Sequence, residues 1–269
     1  MDFSVTDFNV RLRTIKLREL VGAIIVSAVI SIMLVYIIPA YEKYDDLFIL
    51  TVHLLMLVFF IYALRGTSGF EEDIHDIFSP SNREEILYLF VINLFFATIF
   101  ISIISVFSIV LSVFDPTWVP TMDFSIEEVG PIYYYLDLIT GIVGAPLVEE
   151  LVFRGVLFNR LKIRIGIIGA MLVSSFLFAI LHDFGGMISA FVFGLCMCIL
   201  YLKTDNIFVP MTVHFLNNFT CYVSDFLQLD NTLYNYPVSF LMLAASVISA
   251  IALIIYLRKG IKQIKAGCF

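Results

Sequence analysis

Three short strings in the second half of the chain carry residue types able to do chemistry: Glu149-Glu150-Leu-Val-Phe-Arg154, Phe178-Ala-Ile-Leu-His182 and His214-Phe-Leu-Asn217-Asn218. Carboxylates and imidazoles take and return protons, and an amide can hydrogen-bond a developing negative charge without carrying charge itself. Glu150 and Arg154 stand four apart with the acid first, the favourable order for an ion pair on one helix face. Glu149 lies about 100° around the helix from Glu150 and can point elsewhere. Phe178 and His182 share a face at the same spacing, as His214 does with Asn217 and Asn218. A plainer reading stands beside this one: a buried ion-pair knot for the acids and Arg154, and hydrogen-bonded packing residues for the histidines.

What surrounds these strings gives them weight. Of 269 residues 61% are hydrophobic and 14% charged, against roughly 45–50% apolar in a soluble domain. The chain therefore reads as all-α, a polytopic membrane helix bundle of about eight transmembrane helices, each needing about twenty apolar residues. The runs fall near residues 20–38, 47–64, 86–114, 132–158, 165–182, 187–202, 207–227 and 237–257. One integrated membrane domain is expected, with spans one to three in residues 1–130, spans four to seven in 131–223, and a last span with a basic tail in 224–269.

Lysine and arginine gather on one side of this alternation. Arg11, Arg13, Lys16, Arg18, Arg65, Arg83, Arg160, Lys162, Arg164, Lys203, Arg258, Lys259, Lys262 and Lys265 fall there, while the opposite loops hold Lys43 alone. Both termini are thus expected in the cytoplasm, with the protein in the cell membrane. Trp118, Tyr133, Tyr134 and Tyr135 suit an interfacial aromatic belt. The net charge of −7 leaves no footprint for a nucleic-acid partner. Cys196, Cys198, Cys221 and Cys268 form no metal-ligand pattern and read as small apolar fillers. The first apolar run is too long for a signal peptide and reads as a retained span, and the terminal Ala266-Gly267-Cys268-Phe269 is not a prenylation box. No internal repeat is visible.

An ionisable side chain inside a span costs roughly 2.5–3.5 kcal/mol on insertion scales, so such residues face the bundle interior and mark function. The candidates are His53, Asp137, Glu149, Glu150, Arg154, His182, Asp183 and His214. The turn between spans four and five centres near Ile165, with Glu149 and His182 at similar distances on either side, so an antiparallel hairpin sets them at similar depth. His214 sits near the cytoplasmic start of span seven, and meeting Glu149 requires tilt or an uneven boundary. His53 and His75 lie outside all three strings. His53 reads as a packing histidine, Asp137 as interfacial, and Asp183 as a local hydrogen-bonder at a helix end.

Taken in order, Glu-Glu-x-x-x-Arg, Phe-x-x-x-His and His-x-x-x-Asn on successive membrane helices resemble the CPBP (CAAX protease and bacteriocin-processing) family of intramembrane peptidases, with its Abi and Rce1-like relatives. The resemblance covers about residues 132–222, and no motif position is substituted. It implies an endopeptidase acting on a membrane-associated peptide or protein in the lipid bilayer. In that reading Glu149 and His182 activate a water, His214 and Asn218 stabilise the oxyanion, and Glu150, Arg154 and Phe178 support them. A zinc version would take Glu149, His182 and His214 as ligands. The lack of a His-Glu-x-x-His element favours the metal-free version, with no cofactor. Rival readings are a proton-coupled transporter, disfavoured by the missing paired repeat, and a non-enzymatic immunity or adaptor protein. A prenylated CaaX protein, a pheromone, a bacteriocin precursor and a membrane regulator are all compatible substrates.

Overall fold

The computed structural model describes residues 6–44, 46–115, 117–118 and 131–268, and every regular element among them is helical. The expected loop over 119–130 and the side chain of Tyr133 lie outside the described residues. The first half comprises α1 (Asp7–Thr14), α2 (Leu17–Ile37), α3 (Pro39–Lys43), α4 (Asp46–Ala63), α5 (Phe70–Asp76), α6 (Pro80–Ala97), α7 (Ile99–Phe114) and α8 (Pro131–Asp137). A continuous helical stretch then changes its winding through π1 (Leu138–Gly144), α9 (Ala145–Glu150), π2 (Leu151–Phe158) and α10 (Asn159–Ala179). The chain closes with α11 (Met187–Thr204), α12 (Phe208–Phe226), α13 (Asp230–Leu233) and α14 (Val238–Lys265).

Burial runs opposite to the soluble pattern. The buried faces carry small polar residues, Ser27 and Ser31 on α2, Ser102 and Ser105 on α7, and Ser246 and Ser249 on α14. Ile61, Val113 and Leu241 instead point outward. Lipid is as apolar as leucine, so nothing drives large side chains inward, and small residues let helix backbones approach. Helices also satisfy every backbone group internally, which hydrocarbon demands. This is an integral, polytopic helical membrane protein.

By length and hydropathy six stretches among the described residues can cross a bilayer: Leu17–Ile37, Asp46–Ala63, Pro80–Phe114, Tyr134–Ala179, Met187–Thr204 and Val238–Lys265. The expected count of eight is not reached, for two physical reasons. Tyr134–Ala179 joins the fourth and fifth expected spans, which meet at Gly166, where φ is +74°. There the chain doubles back, since the Ser174 hydroxyl donates to the Phe153 carbonyl at 3.0 Å and the Phe153 and Phe178 rings meet edge to face. The seventh, α12, carries Thr212, His214, Asn217, Asn218 and Thr220 and is too polar to count.

A set of long-range contacts ties together the end of the bundle that bears the basic residues. There α1 lies against π2, with Leu12 fully buried over Gly155. Arg160 on α10 donates to the carbonyls of Thr14 and Ile15. Arg13 reaches the Tyr201 hydroxyl at 3.1 Å and pairs with Asp205 at 2.8 Å. Phe8 and Phe70 pack on Phe208 at the start of α12. The opposite end, around His182 and Asp225, holds two adjoining cavities, and a separate polar one of about 250 Å³ lies at the basic end among Asp76, Glu85, Lys203 and Asp205.

Candidate active site

Pro146 explains the local winding that carries the acids. Proline has no N–H and crowds the carbonyl one turn earlier, so a helix that must pass through it gives up its regular ladder. The N–H of Ala145 bonds to Thr140, and the next donor position is Pro146 itself, which leaves the Gly141 carbonyl without a backbone partner. Asn218 on α12 fills that gap, donating to the Gly141 oxygen at 2.8 Å. A π turn thus ties the helix of Glu149 to the helix of Asn218, a frequent use of such turns at functional sites. Beyond the acids, π2 has its carbonyls of Arg154 and Gly155 taken by the Asn159 amide at 2.9 and 2.8 Å.

The geometry divides the two glutamates. Glu150 is fully buried, accepting from Arg154 Nη1 at 2.9 Å and from His214 Nδ1 at 3.0 Å on the same oxygen, Oε1. Arg154 is equally buried, its guanidinium lying over the Phe178 ring at 4.5 Å. Glu149 points past them, its Oε2 3.9 Å from the Nε2 of the same His214. That separation exceeds a hydrogen bond, so Oε2 is spatially adjacent to the imidazole while free to bond another group. Because a carboxylate only accepts, Nδ1 of His214 carries hydrogen and its Nε2 edge is the variable one.

His182 is fixed by a different device. Its Nδ1 lies 3.0 Å from the Phe178 carbonyl one turn earlier. A carbonyl can only accept, so Nδ1 donates, and a neutral His182 keeps a bare Nε2. Phe178 is 1% exposed and gathers the site, with its ring centroid 4.7 Å from His182, 5.9 Å from His214 and 5.4 Å from Phe153. The close approach that brings α10 to α11 depends on Gly194, where a Cβ would sit 2.8 Å from the Ser175 side chain.

His182, His214, Asn217, Asn218, Phe178 and Phe193 line one cavity of about 160 Å³, on whose far wall stands Asn93 of α6. The structure therefore brings His182, His214 and Asn218 to one space and sets Glu149 against His214. It places Glu150 and Arg154 beneath as a buried pair. The depth mismatch expected for His214 does not arise. Packing of α12 against π1 and α9 puts it level with both acids. Glu150 does more than hold Arg154, for it also orients His214.

Two residues escaped the sequence reading. Asn93 lies buried in an apolar run of α6, donating to the Leu89 carbonyl at 2.8 Å while its Oδ1 has no hydrogen-bond partner among the described residues. A lone amide in a span was the signal that could have found it. Phe193, whose ring stands 5.1 Å from His214, looks like any other membrane phenylalanine and gave none. His53 packs beside Gly144, where a Cβ would fall 2.6 Å from its Nδ1. Of the cysteines, 196 and 198 are buried fillers as expected, but Cys221 and Cys268 are exposed. No three His, Cys, Asp or Glu side chains among the described residues stand close enough together to hold a metal ion.

Residues 131–220 match the family model described as Type II CAAX prenyl endopeptidase Rce1-like. The segment contains every residue of the cavity and acid cluster except Asn93, Ala97 and Cys221. A Bacillus subtilis (strain 168) protein named "Putative membrane peptidase YdiL" is 33% identical over 82 residues, which covers 30% of this chain and 33% of that relative. The match thus spans about a third of that relative's length. No solved structure matches the chain.

Proposed function

We propose that this chain is an intramembrane endopeptidase that hydrolyses a peptide bond in a membrane-associated protein or peptide without a metal. Glu149 and His182 activate the water, and His214 with Asn218 holds the oxyanion. The observation that carries this reading is the position of His214, one imidazole joining the buried Glu150–Arg154 pair to Glu149 at the wall of the cavity that His182 and Asn218 line. The Rce1-like match over 131–220 and the peptidase name of the relative support the same class.

The chemistry follows from charge and hydrogen bonding. As the water oxygen bonds to the carbonyl carbon, its proton passes to the Glu149 carboxylate, and the bare Nε2 of His182 accepts the other water hydrogen as a hydrogen bond. The carbonyl oxygen gains the electron pair and becomes an oxyanion. The Nε2–H of a protonated His214 and the second N–H of Asn218 face it as donors. With Nδ1 held by Glu150, donation from Nε2 requires both ring nitrogens of His214 to carry hydrogen, and such donors act more strongly on an oxyanion in a poorly hydrated site than in water. Collapse breaks the C–N bond, and Glu149 returns its proton to the leaving amine.

The test is purified protein in lipid nanodiscs with anchored peptide reporters, read by mass spectrometry. Glu149→Gln and His182→Ala should each abolish cleavage, and His53→Ala should leave it standing. Cleavage that survives both of the first two changes removes the enzyme. Elemental analysis of active protein, with chelator treatment alongside, should find full turnover with no bound transition metal. The basic residues at one end further support a cell-membrane location with both termini in the cytoplasm.

A further inference from the structure

A second cavity, of about 400 Å³, opens beside the first. Its walls come from α6, α7, α12, α13 and α14, and Ala97 and Cys221 belong to both cavities. Leu94, Phe95, Ile101, Leu233 and Met242 make its surface largely apolar, and Asp225 and Asp230 stand at its end away from His214. Its size falls in the range of small-ligand sites, about 300–1,000 Å³, and exceeds what water alone would need. No ion pair joins either aspartate among the described residues, and Ser224 donates to Asp230 at 3.0 Å. The chain brings almost no cation to this end, since residues 115–130 and 224–236 contain neither lysine nor arginine.

We propose that this second cavity is a specificity subsite of the peptidase, taking a bulky apolar side chain of the substrate followed by a lysine or arginine. The inference rests on the endopeptidase reading and deepens it. The continuity is the main argument. A peptide whose scissile carbonyl lies at His214 and Asn218 must leave that small cavity somewhere, and the larger one adjoins it at Ala97 and Cys221, which line both. On the other side the buried Glu150–Arg154 pair, Phe153 and Cys198 fill the space. An apolar side chain matches the lining, and the next residue then meets two carboxylates, where a cation is attracted and a free C-terminal carboxylate repelled. The substrate is accordingly held by internal sequence, and it arrives from the end of the bundle opposite the Lys- and Arg-rich loops.

Two measurements test this. The first compares cleavage of anchored reporters that differ at one position pair, Phe-Lys, Ala-Lys and Phe-Glu. Phe-Lys should be cut at least about tenfold faster than either of the others, as differences of one to a few methylenes in an apolar pocket allow. Ile101→Trp, which fills the cavity, should erase the Phe-over-Ala preference. Equal rates for all three reporters overturn the proposal. The second measurement does not depend on turnover. In Glu149→Gln protein that also carries Cys268→Ser, the Phe-Lys peptide should slow maleimide labelling of Cys221 and the Phe-Glu peptide should not. Protection by both peptides alike, or by neither, overturns the subsite. If no reporter is cleaved but Phe-Lys still protects Cys221, the subsite stands and the peptidase reading falls.

Discussion

The two ends of the bundle are built to opposite rules. At the basic end Leu12, Val156, Phe158, Tyr201 and Arg154 are at most 2% exposed, and the Asn159 amide and Arg160 guanidinium donate to the Gly155 and Ile15 carbonyls. At the other end His182, Asn218 and Cys221 face cavities, and the short turn after α10 leaves Phe184 87% exposed. The contrast teaches how a charged cluster survives in a membrane protein. Arg154, Glu150 and His214 need a rigid, dry base that fixes them, and the reacting water and peptide need a gap on the other side. One end supplies orientation and the other supplies access.

If that division is right, substitutions at the open end should reduce turnover with little change in stability, and those at the base should do the reverse. The largest effect is expected at the boundary. Glu149→Gln removes the proton acceptor and should lower turnover by about 10²–10⁴, the usual share of general-base catalysis, with the thermal midpoint in detergent unchanged. A variant that unfolds instead would place Glu149 in the base and break the comparison.

Arg154→Leu is the strongest basal change. It leaves the buried Glu150 carboxylate without its cation, and removing one partner of such a pair typically costs about 3–5 kcal/mol. The midpoint of thermal or denaturant unfolding should drop accordingly, and Glu150→Gln on the same background should restore part of it. Stability equal to wild type would mean that the pair is not holding the base.

Asn218→Ala tests the open end again. Loss of one oxyanion donor costs about 2.7–4 kcal/mol of barrier, so turnover should fall about 10²–10³ while substrate affinity changes little. The Gly141 carbonyl also loses its donor, and Asn218→Asp, which keeps the shape but not the donors, should rescue nothing. Gly155→Ala then sharpens the basal side, because its Cβ would stand 2.8 Å from a Leu12 methyl with no room to yield. Overpacking of that kind costs about 1–3 kcal/mol. The paired change with Leu12→Ala should recover most of the loss.

The smallest expected effect lies outside the membrane-spanning helices. Burial, with Asp76 and Glu72 adding to it, holds the Asp73 carboxyl above its ordinary value, against the pull of the Thr6 hydrogen bond. A carboxyl that is more easily protonated in the folded state contributes stability that is complete below its unfolded value and is lost as pH rises through the folded one. Asp73→Asn keeps an acceptor for Thr6 and Asn9 and should flatten that mildly acidic slope in a pH series of melting curves. A slope that persists in the variant would assign it to another group.

Much of this architecture was legible in the residues. The membrane class follows from composition, and the hairpin near Gly166 follows from the basic break at Arg160, Lys162 and Arg164 between two apolar runs, as the Ser174 to Phe153 bond bears out. The Glu150–Arg154 pair and the Phe178–His182 face follow from four-residue spacing and appear as such. The run over 207–227 appears as α12, although the polar residues that give it chemistry leave it less apolar than the six stretches that can cross a bilayer by hydropathy. Asn93 and Phe193 were missed since neither belongs to a string of reactive residues.

By itself the sequence determined that the chain lives in lipid, which residues could exchange protons, and which of them share a helix face, because composition and helical period are properties of neighbours along the chain. Only the tertiary structure decided that His214 stands between the two glutamates, that Asn218 closes the gap Pro146 leaves at Gly141, and that the cavity beside His182 and Asn218 adjoins a larger one at Ala97 and Cys221. Those facts depend on how far α12 slides and tilts against π1 and α9. In lipid that register is set by close packing and interhelical hydrogen bonds, not by a pattern of hydrophobic residues that a single strand of sequence could display.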